Sequence, residues 1–237
     1  MTGSTRGIGN AIARCLAAQG ARVAVHGRDG RAADAAARDI SGAIGVAGEI
    51  SDPHAVAALC AHTRARLGPI DIVVNNAGTS TRNFFLDSSD EEWNRLLAVN
   101  LLAPRNVLRE TVPDMQRNGW GRILNVTSEA GVRGSAGFSA YSASKGALVA
   151  FSLTLALELA RSGICVNAFA PVALTDLVRS QVTPRMLDDL VARGLPTIEE
   201  CAEAALPLVS DDAPNGEVVI MHLGDQSTEV LAGQPTP

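Results

Sequence analysis

Apolar and polar residues follow one another along this chain in two rhythms: short apolar runs, and longer stretches with helical spacing. Ile8 to Gln19 carries apolar side chains at helical intervals and stops at Gly20, a residue suited to a helix C-terminus. Arg22 to His26 is a short apolar run, read as a strand. An alanine-rich helix, Arg31 to Ile40, and a strand, Ala43 to Ala47, come next. Ser51-Asp52-Pro53 caps a helix that ends at Gly68, with proline in its first turn. Ile70 to Val74 is apolar on both faces, as buried parallel strands are. A mostly helical stretch, Ser89 to Asn118, bends near Pro104. Arg122 to Thr127 reads as a strand, Phe138 to Arg161 as a long helix and Ile164 to Phe169 as a strand. A helix, Ile198 to Val209, and a last strand, Glu217 to His222, complete the pattern. Strand and helix alternate with no linker or repeat. The pattern therefore predicts one α/β domain over residues 1–237, a doubly wound parallel sheet. Ligands of such sheets bind beyond the carboxyl ends of the strands, so residues that follow strands are the first candidates for chemistry.

Composition narrows the function. A net charge of −5 and a pI near 5.4 exclude a broadly basic nucleic-acid binder. The cysteines, Cys15, Cys60, Cys165 and Cys201, are far apart, with no CxxC or HExxH spacing, so no metal site is expected and the thiols read as free and buried. Met1 runs straight into polar residues, unlike a secretory signal, and the apolar stretch Ala147 to Ala160 is interrupted by Ser152, Thr154 and Glu158. The expectation is a soluble cytoplasmic protein with no membrane and no nucleic-acid partner. Two counts stand out. Tyr141 is the one tyrosine, and Lys145, four residues on, is the one lysine among 20 basic residues.

Glycines cluster where a phosphate could be held. Thr2-Gly3-Ser4-Thr5-Arg6-Gly7-Ile8-Gly9 opens the first helix, whose N-terminus offers free N–H groups and a positive dipole end. The next strand ends at His26-Gly27-Arg28. Dinucleotide folds that prefer NAD usually carry an acid about here for the adenosine ribose. Arg28, with Arg6, could instead clamp a 2′-phosphate, so NADP is expected over NAD. Asn75-Asn76-Ala77-Gly78 follows the Ile70–Val74 strand with small residues that leave room for a cofactor. Ser128 follows the Arg122–Thr127 strand, Tyr141 comes 13 residues later, and Lys145 shares a helix face with Tyr141.

These motifs, with Asn100 in Val-Asn-Leu and Asn167-Ala-Phe-Ala-Pro171 leading to Thr175, resemble the short-chain dehydrogenase/reductase family over nearly the whole chain, most closely its 3-oxoacyl-carrier-protein reductase-like ketoreductases. The resemblance implies a Rossmann-type sheet and an oxidoreductase that interconverts a small-molecule carbonyl and a secondary alcohol. It implies that Tyr141 is the general acid in reduction and the base in reverse, its pKa lowered by the Lys145 ammonium together with the nicotinamide charge in the oxidised complex. Lys145 would also bond the nicotinamide ribose, Ser128 the substrate oxygen, and Asn100 a water leading to Lys145. Gly3, Arg6, Gly7, Ile8 and Gly9 would line the pyrophosphate, and Asn76, Ala77 and Gly78 the adenosine ribose side. Glu49-Ile50 falls where relatives place Asp-Val against the adenine. Pro171 and Thr175 would meet the nicotinamide. Relatives pair through the long helix and the one before it, so a homodimer or homotetramer is expected, using Ala147, Leu148, Phe151, Leu155 and Leu159 on one side and the Leu97–Met115 helix on the other.

Three departures from the family set further expectations. The family's first strand precedes the glycine loop, whereas here Met1 alone does, and a strand needs about five residues. The expectation is that the natural chain starts upstream, with Met1 standing where relatives often have valine and a GTG codon serving as a start. Val172 replaces a usual glycine after Pro171, in the loop facing the nicotinamide. The end from Asp225 to Pro237 is polar, lacks the usual double glycine and reads as a loose tail. Glu129 beside Ser128 reads first as a solvated carboxylate, or else as a group on the pocket rim favouring neutral or cationic substrates. His26, His54, His62 and His222 suggest no catalytic or metal pairing, and Phe138 reads as packing. The alternative to an active ketoreductase is a catalytically weak NADP-binding regulatory protein.

Overall fold

The apolar runs become strands and the helical stretches cover them. A computed structural model describes residues 1–179, 183–224 and 227–232. Its strands are β1 Ala24–Gly27, β2 Ile44–Ala47, β3 Ile72–Asn75, β4 Gly121–Val126, β5 Ile164–Ala170, β6 Val218–Met221 and β7 Thr228–Ala232. Its helices are α1 Gly7–Ala18, α2 Gly30–Arg38, α3 Pro53–Leu67, α4 Asp90–Leu97, α5 Ala103–Asn118, α6 Ala130–Arg133, α7 Ser139–Leu159, α8 Asp176–Arg179, α9 Pro184–Ala192 and α10 Ile198–Ala205. Local chemistry fixes the helix ends. Asp52 accepts from the His54 N–H at 2.9 Å, just ahead of Pro53, and Thr197 with Glu200 forms a reciprocal capping box on α10. The bend expected near Pro104 is a widened, π-type turn, Ala98–Leu102, joining α4 to α5.

Strands β3, β4, β5 and β6 pair in that order, all parallel, and β7 adds an antiparallel edge. Alternate residues face opposite layers. Val74, Leu124 and Phe169 pack with Ile12, Leu16 and Ala202 on the α1 and α10 side. Val73, Ile123 and Val166 pack with Val56, Val107 and Leu159 on the α3, α5 and α7 side. This is the doubly wound arrangement that the alternation of elements predicts. Part of the expected tail is ordered: Thr228–Ala232 is strand β7, held because its backbone completes a ladder on the free edge of β6. The rest of that tail, residues 225, 226 and 233–237, lies outside the described residues. By length and composition alone, 139–162 could cross a membrane. In this fold α7 lies on the sheet, with Leu148, Ser152, Ala156 and Leu159 buried. Among the described residues no group of His, Cys, Asp and Glu could hold a metal ion. Cys60 and Cys201 are buried, and burial pushes both thiols up to about 11, the state of inert core cysteines.

The sheet is not continuous. β1 and β2 pair with each other, apart from β3–β7. Met1 and Thr2 make backbone hydrogen bonds across the gap. The Met1 amine donates to the Ala24 C=O at 3.0 Å, and the His26 N–H donates to the Met1 C=O at 3.2 Å. On the other side the Thr2 N–H donates to the Val74 C=O at 3.0 Å. Below them lies a cavity of about 370 Å³ whose walls include Leu16, Val23, Val56, Cys60, Val73 and Val107.

Burial of the Met1 amine lowers its pKa from 8.0 to about 6. The unfolded chain's amine stays near 8, so between pH 6 and 8 the unfolded state binds more protons. Stability therefore rises with pH across that window, by up to about 3 kcal/mol at ~1.4 kcal/mol per unit. Urea unfolding of the chain beginning at Met1, at pH 6.5, 7 and 8, reads this slope, and acetylation of the α-amine flattens it.

Candidate active site

The glycine loop is stitched to the loop after β3. The Thr2 hydroxyl accepts from the Asn76 and Ala77 N–H groups, each at 3.0 Å. The Asn76 amide donates to the Thr2 and Gly3 carbonyls at 3.1 and 2.8 Å. Gly3 has φ +59, and a Cβ there would lie 2.8 Å from the Ala77 Cα, so only glycine allows this approach. A Cβ on Gly9 would strike the Asn76 amide. Gly7 differs. Its φ is +58, yet a Cβ there would meet nothing nearer than the Thr175 methyl at 4.0 Å. Helix α1 starts at this residue with no side-chain cap and no acid in its first turn. Its first N–H groups and positive dipole end face the open space between Gly7 and Thr175, with Ile8 buried behind them. Such a helix start could hold a phosphate group.

The proposed adenosine end lies beside it. Gly27 ends β1, and a Cβ there would fall 2.6 Å from the Thr5 methyl. A side chain at Gly27 would have to displace that methyl. Arg28 and Arg6 are exposed on this side. Glu49 is exposed and its carboxylate accepts from the Ser51 N–H and hydroxyl at 3.2 and 3.0 Å, while Ile50 is buried. Pro171 and Thr175 are half-buried after β5, and the Val172 C=O accepts from the Cys201 thiol at 3.5 Å.

His26 carries a function that its sequence position did not suggest. It is buried at the end of β1, accepts from the Gly3 N–H at Nδ1 (3.1 Å) and contacts the Gly48 C=O through Nε2 at 3.1 Å. One neutral tautomer, with its proton on Nε2, satisfies both partners. Burial lowers its pKa below 6.5, the Gly48 bond opposes this, and the Met1 amine adds to it. The ring is thus a strut between the glycine loop and the loop carrying Glu49. The only clue in the sequence was a histidine placed directly before the strand-ending glycine.

The polar residues of the other half converge around α7. Asn100, fully buried in the π-type turn, accepts from the Thr79 N–H at 2.9 Å and donates to the Thr79 C=O and the Ser144 hydroxyl at 2.9 and 3.0 Å. The Ser144 hydroxyl donates in turn to the Tyr141 C=O at 2.7 Å. Lys145 is buried, and its Nζ donates to the Val126 C=O at 2.8 Å. A Cβ on Gly78 would lie 3.4 Å from both the Lys145 Nζ and the Asn100 Oδ1, so the two groups flank that glycine. The Ser128 hydroxyl is hydrogen-bonded to the Tyr141 phenol. All four candidate catalytic residues, Asn100, Ser128, Tyr141 and Lys145, are thereby brought to one site. Thr79, Ser144 and Thr127, whose hydroxyl donates to the Lys145 C=O at 3.1 Å, hold them there. None of these three was singled out from sequence, since Ser and Thr hydroxyls are too common to signal a role alone.

Burial raises the Tyr141 phenol above its ordinary 10, partly offset by the Ser128 bond. Lys145 is itself lowered to about 8 by burial. Desolvation is the largest cause of both shifts. Glu129 is not an isolated carboxylate: Arg133 pairs with it at 3.5 Å and also bonds Glu229 of β7. The Phe138 ring packs edge-on to Tyr141, centroids 6.1 Å apart.

A doubly wound sheet whose strand ends carry a phosphate cradle and a buried lysine beside a serine-bonded tyrosine defines a class, the α/β oxidoreductases that work with nicotinamide dinucleotides. Comparison with known proteins takes the assignment further. The model of the short chain dehydrogenase family matches residues 1–186, and the chain belongs to that family. It is 36% identical to nodulation protein G of Azospirillum brasilense over 222 residues, covering 90% of each chain. It is 35% identical to the D-beta-hydroxybutyrate dehydrogenase of Rhizobium meliloti (strain 1021), covering 90% of this chain and 91% of that one. It is 35% identical to the 3-oxoacyl-acyl-carrier-protein reductase FabG of Escherichia coli (strain K12), covering 90% and 89%. Among solved structures, a gluconate 5-dehydrogenase from Burkholderia cenocepacia J2315 in complex with NADP and tartrate superposes with a TM-score of 0.87. That pair is 31% identical, with 92% of this chain and 91% of that chain covered.

His26→Ala strands the Gly3 N–H and the Gly48 C=O. Urea unfolding at pH 8 should show a loss of about 1–3 kcal/mol. Because the folded pKa lies below 6.5, the contribution of His26 is present above pH 6.5 and fades as pH falls below it. The gap between wild type and variant therefore narrows on acidification.

Proposed function

We propose that this protein is an NADP(H)-dependent oxidoreductase that reduces a small-molecule carbonyl to a secondary alcohol, and reverses the reaction, with Tyr141 as the general acid and base. The observation that carries this reading is the Tyr141–Ser128 hydrogen bond beside the buried Lys145. The dinucleotide would lie with its pyrophosphate on Gly3, Arg6, Gly7, Ile8 and Gly9 and its adenosine along Arg28, Glu49, Ile50, Asn76, Ala77 and Gly78. Its nicotinamide end would reach Pro171 and Thr175. When bound it supplies the hydride. Ser128 holds the substrate oxygen where negative charge develops. Tyr141 donates its proton to that oxygen in reduction and takes it back in the reverse direction. Lys145 holds the nicotinamide ribose, and Asn100, on the other side of Gly78, positions water for the return of a proton to Lys145. The closed position at Gly27, next to Arg28 and across from Arg6, supports NADP over NAD. The NADP complex of the gluconate 5-dehydrogenase relative agrees with that preference.

NADPH and NADH consumption with β-ketoesters, diketones and cyclic ketones tests the reading. Tyr141→Phe should lower turnover by about 10²–10⁴-fold while NADPH binding, read by fluorescence, stays unchanged. Arg28→Ala should weaken NADPH binding and leave NADH binding alone. Undiminished turnover in Tyr141→Phe would refute the proposed acid. NADPH binding without turnover on any substrate would favour a regulatory binding protein.

Assembly is part of the proposal. Leu157 on α7 is 59% exposed and Leu102, at the start of α5, is 42% exposed. Both lie on the two helices through which relatives pair. Light scattering at micromolar concentration should give the mass of a homodimer or homotetramer, and a monomer mass would contradict it.

A further inference from the structure

The short helix α6 ties the serine of the site to its lysine. It begins directly after Ser128 and Glu129, and the Ala130 N–H donates to the Ser128 hydroxyl at 3.3 Å. Its contact with α7 is made by backbone. A Cβ on Gly131 would lie 2.7 Å from both the carbonyl carbon and the Cβ of Lys145. A Cβ on Gly146 would lie 2.8 Å from the Gly131 C=O. The main chain of α6 therefore rests on the turn of α7 that carries Lys145, with Ser128 just ahead of the contact. Glycine on both sides permits this approach and offers no side chain to interlock it. Four residues make about one helical turn, too few to hold together without outside contacts. No side chain caps α6, and its Val132 is exposed.

Arg133, the last residue of α6, supplies an outside tie. Its guanidinium reaches Glu129 on the same turn at 3.5 Å and bonds Glu229 of β7, 96 residues away in the chain. Glu229 is itself fixed twice. Its backbone lies opposite Ile220 in the β6–β7 ladder, and the His222 Nε2 lies 3.2 Å from its carboxylate. A line of charged and polar groups, Glu129–Arg133–Glu229–His222, thus runs from the turn after Ser128 to the edge of the sheet. These side chains are half-exposed, so the pairs add little to global stability. Position is a different matter. A misplacement of about 1 Å in a catalytic group can lower a rate by about 10²-fold.

We propose that Glu229 is a positioning residue: through Arg133 it holds α6 down on α7, and so keeps Ser128 aligned with Tyr141 and Lys145. Strand β7 is then a working part of the active site, although none of its side chains touches substrate or cofactor. The inference rests on the reading of Ser128, Tyr141 and Lys145 as the catalytic set. Its physical core, the clamp of β7 on α6, can be measured without turnover.

The test uses the full chain in four variants: Glu229→Gln, Arg133→Gln, the two together, and the exchanged pair Arg133→Glu with Glu229→Arg. Amide exchange at Val132, Arg133 and Val230, kcat and KM for NADPH and the carbonyl compound, and thermal midpoints are read for each. Glu229→Gln should speed exchange at Val132 and Arg133, whose N–H groups bond the Glu129 C=O. It should lower kcat by roughly 5–50-fold, with KM for NADPH within about twofold and the midpoint within about 2 °C. Arg133→Gln should do the same, and the double Gln variant should be no worse than either single one. The exchanged pair should recover at least half of the lost rate on a logarithmic scale. Unchanged kcat and unchanged α6 exchange in Glu229→Gln would overturn the proposal. So would losses that simply multiply in the double variant, which would mean that the two side chains act apart. If Glu229→Gln also loosens β7, seen as faster exchange at Val230, Arg133→Gln decides: a matching loss of kcat supports the clamp, and none contradicts it. If the wild-type chain turns over no carbonyl compound, the catalytic reading fails. The exchange data then still judge the clamp, faster α6 exchange supporting it and equal exchange refuting it.

Discussion

A strand inside a parallel sheet must satisfy backbone groups along both edges, and here the line between β1 and β3 does so with two residues. Met1 and Thr2 join the two parts of the sheet. They are also the first residues of the glycine loop, so the same few hydrogen bonds that close the sheet place the phosphate cradle. Thr2 holds Asn76 and Ala77, Asn76 holds Gly3, and His26 ties Gly3 to Gly48. A change anywhere along that line moves the start of α1, and with it the positive end of the helix dipole.

The other half of the site rests on α7. Its inward face packs on β4 and β5, which brings Lys145 against the end of β4 and seats Ser144 beside the π-type turn. The widened turn matters because it lets Asn100 use its side-chain amide on Thr79 and Ser144 while staying in the helical path from α4 to α5. A buried ammonium is costly without partners. The Val126 carbonyl supplies one, and the depressed pKa of Lys145 measures the cost that remains. Tyr141, by contrast, is held in its neutral form by the same burial. A neutral phenol facing a serine can donate a proton, which is the role proposed for it.

Much of this was legible in the amino-acid order because the relevant signals are local. Strands such as Ile72–Asn75 are apolar on both faces, helix starts carry Asp52 or Thr197, and Tyr141 and Lys145 lie one turn apart. What was hidden depends on partners distant in sequence. β7 is an edge strand with exposed Val230 and Leu231, and its polar surroundings read as a tail until β6 offered a ladder. His26 gains its role from Gly3 and Gly48, each more than 20 residues away. The desolvation of Tyr141 and Lys145 could not be read from spacing, because it depends on what packs around them.

The central claim is that Tyr141, Ser128 and Lys145 serve hydride chemistry with a nicotinamide dinucleotide rather than cofactor binding alone. Mass spectrometry after single-turnover reaction with NADPH deuterated at the transferable C4 position tests this directly, across the same carbonyl compounds. The account predicts deuterium on the carbinol carbon of the alcohol formed, in amounts matching the NADPH consumed. Tight binding of NADPH with no deuterated alcohol from any compound would contradict it.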